Sequence, residues 1–132
     1  MSLYKNSVKR ATVGHLRAQS LANTASAQTT GLWEPAAKCR AYLAFCQVAT
    51  FGGGGGAVFK VQAASDADGS GAADITGSGT LSLTAAGQGG TLEVPLSLIT
   101  AAKPFISIVC TTTTGTGICG GELYLANPNY SA

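Results

Sequence analysis

Leu92, Val94, Leu96 and Leu98 alternate with Glu93, Pro95 and Ser97. A pleated strand with one buried face is the local structure that satisfies this period of two. Pro95 falls on the outward phase and has no N–H to give a ladder, so this strand belongs at a sheet edge or carries a bulge. Similar short segments recur along the chain. Ala57–Ala63 reads as a strand with Phe59 and Val61 inward and Lys60 and Gln62 outward. From Lys38 to Thr50, Cys39, Ala41, Leu43 and Phe45 share one face and Arg40, Tyr42, Ala44 and Cys46 the other, so both faces are partly covered. Ala73–Thr84 is a weaker strand interrupted by Gly77 and Gly79, and Phe105–Thr113 and Ile118–Ala126 form a final hairpin. About seven short strands separated by Gly-, Ser- and Asp-rich turns predict an all-β fold, a single antiparallel β-sandwich, with the jelly roll as its candidate winding.

Composition agrees, because the 18 glycines and the many Ser, Thr and Ala residues leave few of the long side chains that favour helices. At 132 residues the chain has the length of one domain. A domain of that size buries only about two-thirds of its unfolded surface, which makes a homo-oligomer a reasonable expectation. Charge divides the chain unevenly. Residues 1–33 carry Lys5, Lys9, Arg10 and Arg17 and no acid (+4), whereas residues 34–132 carry four bases and six acids (−2). Asn23-Thr24-Ala25-Ser26 has no core pattern, and the composition changes at Gly31-Leu32-Trp33-Glu34-Pro35. The expected organisation is a basic, flexible N-terminal arm over 1–30 and a β-sandwich domain over 31–132, with Lys5, Lys9, Arg10 and Arg17 as the partner-binding side chains. Four charges so spread fall short of a nucleic-acid tail, so no specific nucleic acid is expected. The apolar run of a secretory signal does not follow Lys9-Arg10, and the sequence has no membrane-spanning stretch. The acid-free, Ser/Ala/Thr-rich start also has the composition of an organellar transit peptide.

Catalysis finds few candidates. The single histidine, His15, lies in the arm, so no Ser-His-Asp or Cys-His set is expected in the body, and no catalytic residue is assigned. Asp66, Asp68, Ser70 and Asp74 fall at the oxygen-ligand positions of a calcium loop, but Gly77 stands where a bidentate Glu belongs; a tight turn is the better reading. Gly52–Gly56 lacks the Lys-Ser/Thr ending of a phosphate-binding loop. Cys39, Cys46, Cys110 and Cys119 are too widely spaced for zinc knuckles. No metal and no cofactor are expected.

If Thr114-Gly115 is a two-residue hairpin turn, Cys110 and Cys119 each lie four residues outside it and face each other, close enough for a disulfide. Cys39 and Cys46 on one continuous strand would be roughly 23 Å apart, on opposite faces. Buried, reduced cysteines acting as small hydrophobes are the other reading. Trp33, Tyr42, Tyr124 and Tyr130 are the aromatics from which a sugar-binding platform would be built, which leaves a carbohydrate-binding or adhesin module as an alternative of a different class.

The run Phe59-Lys60-Val61-Gln62, the turn Ser65-Asp66-Ala67-Asp68-Gly69, the following Ala73-Asp74-Ile75 and the late strand Lys103-Pro104-Phe105-Ile106-Ser107-Ile108-Val109 resemble small virion proteins of tailed bacteriophages over residues 57–126. The resemblance implies a decoration or cement protein on the outer capsid surface of a particle made in the host cytoplasm. Its partners would be the major capsid protein or other virion subunits, with no membrane involved. A neck or tail component is the alternative within that class.

Overall fold

A computed structural model describes residues 8–11, 13–22, 33–51, 56–112 and 116–126. The chain folds as two antiparallel five-stranded sheets packed face to face. The strands are β1 (Val8–Arg10), β2 (Leu16–Ala22), β3 (Glu34–Pro35), β4 (Ala41–Phe51), β5 (Ala57–Ala64), β6 (Ala73–Asp74), β7 (Leu81–Leu83), β8 (Gly89–Pro95), β9 (Phe105–Thr112) and β10 (Thr116–Ala126). The first sheet runs β1-β10-β4-β8, with β2 also on β10; the second runs β3-β9-β5-β6, with β7 also on β5.

The pairings are nested. β2 lies beside β10, β3 beside β9, β4 beside β8, and β5 beside β6 and β7. A chain folded back on itself from its ends inward, then rolled so that successive pairs fall in opposite sheets, is the double Greek key of a jelly roll. The inward alternation of each strand fills the space between the sheets: Tyr42, Ala44, Cys46 and Val48 from β4, Phe59 and Val61 from β5, Leu92 and Val94 from β8, Ile106, Ile108 and Cys110 from β9, and Cys119, Leu123 and Leu125 from β10. Each large apolar side chain among them contributes about 1.5–3 kcal/mol through its removal from water. The hydroxyl of the fully buried Tyr42 keeps a partner by accepting the Ala37 N–H at 2.7 Å.

β8 is a sheet edge, and Pro95 is exposed at its end, opposite Ala41. The strand stops there. Leu96–Leu98 turns as a 3-10 segment, with the Leu96 N–H on the Arg40 carbonyl, and both leucines still pack against the core. The expected final hairpin does not form, because β9 and β10 lie in opposite sheets. Alternation specifies which residues face inward; it does not distinguish two strands side by side from two strands face to face.

Within the stretch expected to be a flexible arm, β1 and β2 are instead strands of the first sheet, and both pair with β10. Between them the chain crosses to the other sheet and back. The Ala11 N–H donates to the Leu123 carbonyl at 2.9 Å, the Val13 N–H to Glu34 Oε1 at 3.1 Å, and the Ile108 N–H to the Gly14 carbonyl at 3.0 Å. β3 covers only Phe105 and Ile106 of the β9 edge, so Gly14 takes up the next donor along it. His15 completes the stitch. The Leu123 amide can only donate, so Nδ1 accepts from it at 2.8 Å and Nε2 carries the proton given to the Ala11 carbonyl at 2.7 Å. Lys5 and residues 23–30 lie outside the described residues.

Candidate functional site

The two outer faces of the sandwich differ. On the second sheet, Trp33 lies over Ala64 and Val109, with Phe105 beside them, and all but Phe105 are fully buried. The turn after β5 closes over this cluster: the Trp33 N–H donates to the Ala67 carbonyl at 2.8 Å, and Asp68 Oδ1 accepts from the Ser70 N–H and hydroxyl at 3.0 and 2.8 Å. Gly69 packs on the indole with φ +91°, and a Cβ there would stand 2.6 Å from Trp33 Nε1. The acidic turn therefore serves as a lid on a tryptophan, and the Asp68 carboxylate is engaged in holding its shape.

Among the described residues, the outer face of the first sheet has no such cover. Val8, Phe45 and Ile118 are the exposed large hydrophobic residues among those described, at 51%, 42% and 41% exposure, and all three point outward from this one sheet. Cross-strand register sets Tyr124 opposite Leu43, and Glu122 opposite Phe45, itself opposite Thr91. The Phe45 and Tyr124 rings meet edge to face with centroids 5.2 Å apart. A groove of about 1030 Å³ runs along this face, with Gly120 on the outward phase of β10 at its floor, and bounded by Gly14–Leu16 on one side and Gly89–Thr91 on the other. Glycine at the floor lets an incoming group approach the backbone itself.

Polar groups on this face are paired with one another. Tyr124 donates its hydroxyl to Glu122 Oε2 at 2.7 Å, and Arg10 Nε lies 3.6 Å from the same oxygen. The tyrosine hydroxyl bond, then the nearby Arg10 and His15, hold the Glu122 carboxyl below its ordinary range; the same hydrogen bond raises the Tyr124 phenol. At the β4–β8 side Arg40 pairs with Glu93 at 3.1 Å.

Of the basic residues expected to bind a partner, the two whose side chains are described, Lys9 and Arg10, sit on opposite phases of β1. Arg10 is on the groove rim, already facing Glu122; Lys9 is exposed on β1 on the opposite phase; and Arg17 lies in β2, its side chain outside what the structure describes. Of the aromatics considered for a sugar platform, Trp33 and Tyr42 are buried, Tyr130 lies outside the described residues, and Tyr124 alone lines the groove. Phe45 and the glycine floor were not singled out from sequence, although the outward phase of Leu43 and Phe45 was the signal that marked this face.

Cys110 and Cys119 do meet, by a different route from the expected hairpin. They project from opposite sheets into the core, where the Cys110 thiol donates to the Thr111 carbonyl at 3.6 Å and the two thiols are near enough to affect each other's ionisation, and all four cysteines are free. Burial pushes the thiol of Cys39 up to about 11 and that of Cys46 up to about 12, and raises Cys110 and Cys119 as well. Among the described residues, no three His, Cys, Asp or Glu side chains are grouped so as to hold a metal ion. Both ring nitrogens of His15 are engaged with backbone groups. The arrangement suits non-covalent docking on a mixed apolar and polar surface. No family model, curated protein or solved structure matches this chain.

Proposed function

We propose that this protein is a structural component of a virion, a decoration or cement protein that docks on a capsid lattice through the outer face of its first sheet and reinforces the shell. The observation that carries this reading is the asymmetry of the sandwich. One outer face is covered by the chain's own Trp33 and turn, while the other carries Val8, Phe45 and Ile118 spaced along its length, with Val8 and Phe45 lining a groove. Large hydrophobic residues exposed on one face beside a groove fit a surface that meets a partner. The jelly-roll winding is shared by viral capsid, lectin and cupin domains, so it is compatible with this reading without selecting it. The resemblance of residues 57–126 to phage virion proteins is what favours the capsid. Weak individual contacts suffice on a repeated lattice, since an oligomer engaging several sites gains affinity by multivalency.

Mass spectrometry of purified particles tests the assignment: the protein should be present in many copies per shell, and its absence would end the reading. A copy number matching a single ring would place it at the neck or tail instead. Phe45→Asp puts a charge on the outer face of the first sheet and should abolish binding to undecorated shells while leaving the melting temperature near that of the wild type. Undiminished binding would remove this face from the interface.

A further inference from the structure

Cys110 and Cys119 project into the core from β9 and β10, strands of opposite sheets that follow one another in the chain, so the end of β9 at Thr112 and the start of β10 at Thr116 mark a corner of the sandwich. Sheets in a sandwich normally stand about 10 Å apart, too far for most side-chain bridges. Here they converge. Two residues further from the corner, Gly121 on β10 lies so close to β9 that a Cβ would stand 3.2 Å from Ile108 Cδ1 and 3.2 Å from Cys46 Sγ. Ile108 with Gly121 and Cys110 with Cys119 are thus successive cross-sheet pairs of two strands running in opposite directions towards their corner. The missing side chain at 121 lets the strands approach, and both thiols lie fully buried in the narrowed space, near enough for each to affect the other's ionisation. Cys46 occupies the same stretch of core, whereas Cys39 lies near Tyr42, before β4 begins.

We propose that Cys110 and Cys119 form a redox latch that covalently joins the two sheets at the β9–β10 corner when a low-molecular-weight disulfide oxidises them. In the first step one cysteine, as thiolate, attacks the small disulfide, forming a mixed disulfide and releasing one small thiolate. In the second, the other cysteine displaces the remaining small thiol, so one protein S–S bond forms, the small disulfide is reduced to two thiols, and the two cysteine protons end on them. Full burial confines exchange to folding, assembly or local unfolding of β9 and β10, so the latch closes then and reopens slowly. The inference is independent of the capsid assignment.

The test refolds the full reduced chain in buffers of graded oxidised and reduced glutathione, blocks free thiols by alkylation, and maps peptides without reduction. The expected result is a peptide pair linking Cys110 to Cys119 with Cys39 and Cys46 alkylated, and a melting temperature raised by roughly 10 °C over the reduced protein, the effect of closing a short loop in a domain of this size. A Cys39→Ala/Cys46→Ala variant, which retains only the pair, should show the same rise, and Cys110→Ser should show none. Four alkylated thiols in the most oxidising buffer, a bridge from Cys46 to either residue, or a bridge that lowers the melting temperature would each overturn the proposal.

Discussion

Four thiols in a reduced interior give the fold a weakness towards alkali. In the unfolded chain each ionises near its ordinary value of 9, whereas in the fold burial raises all four, Cys39 to about 11 and Cys46 to about 12. Between these limits the unfolded state has released protons that the native state still holds, so stability is fully present below pH 9 and is lost as the pH rises towards the folded values. At pH 10 an unfolded thiol gains about 1.4 kcal/mol by ionising, so Cys39, Cys46 and Cys110 together remove about 4 kcal/mol. A small domain has only about 5–15 kcal/mol in total. Urea unfolding at steps from pH 7 to 10, with a phosphine reductant throughout, should show a steep fall in midpoint above pH 9. Replacing Cys46 by Ala lowers stability at every pH but should lessen the fall by about 1.4 kcal/mol, since one titrating group is gone. Closing the Cys110–Cys119 bridge removes two more. Equal midpoints at pH 8 and pH 10 in the reduced wild type would refute the description of these thiols as buried and protonated.

Gly69→Ala drives a methyl group into the Trp33 indole from a backbone with φ +91°, and a loss of about 2 kcal/mol or more is expected, read by thermal melting together with a shift in tryptophan emission. His15→Ala leaves the Leu123 amide and the Ala11 carbonyl without the ring that joins them; a cost of about 1–3 kcal/mol and faster hydrogen exchange at Leu123 should follow. Asp74 is held below its ordinary range by Lys60 at 2.7 Å and Gln62 at 2.8 Å, so its contribution is present above about pH 4 and fades as the pH falls through the folded value. Because the pair is open to solvent, Asp74→Asn should cost less than about 1 kcal/mol at pH 7 in chemical unfolding, and nothing near pH 2.

Much of the sandwich was legible because alternation reports burial directly. Phe59, Val61, Leu92 and Val94 are inward as their phase requires, Pro95 sits on an edge strand, and the glycines at 77 and 79 separate two short strands, β6 and β7. Sheet membership was not legible, since the inner faces of two opposed sheets carry the same alternation. That is why Cys110 and Cys119 were expected side by side and are found face to face. The N-terminal strands were hidden for another reason. β1 and β2 form an interrupted edge whose order depends on groups distant in sequence: the Glu34 carboxylate, the Ile108 amide and the Leu123 backbone. No window of sequence around residues 8–22 contains those partners. The groove was hidden because Gly120 lies at its floor, and a residue without a side chain adds nothing to an apolar pattern.

The stitch at residues 11–15 also bears on how such a domain meets a partner. In a nested jelly roll, β10 sits inside its sheet only if a strand covers its outer side, and β1 and β2 supply that cover. Without them the long β10 edge would present unpaired N–H and C=O groups, an invitation to pair with another chain. The N-terminal segment therefore does structural work before any docking begins, and it commits Arg10 to a contact with Glu122 at the groove rim. A basic side chain already facing a carboxylate adds little long-range attraction. On the proposed docking face, what remains for recognition is the exposed Val8, Phe45 and Ile118 and the open backbone of the groove floor. Affinity for a lattice would then depend on desolvating those side chains at many repeated sites, more than on the charge that makes residues 1–33 conspicuous in the sequence.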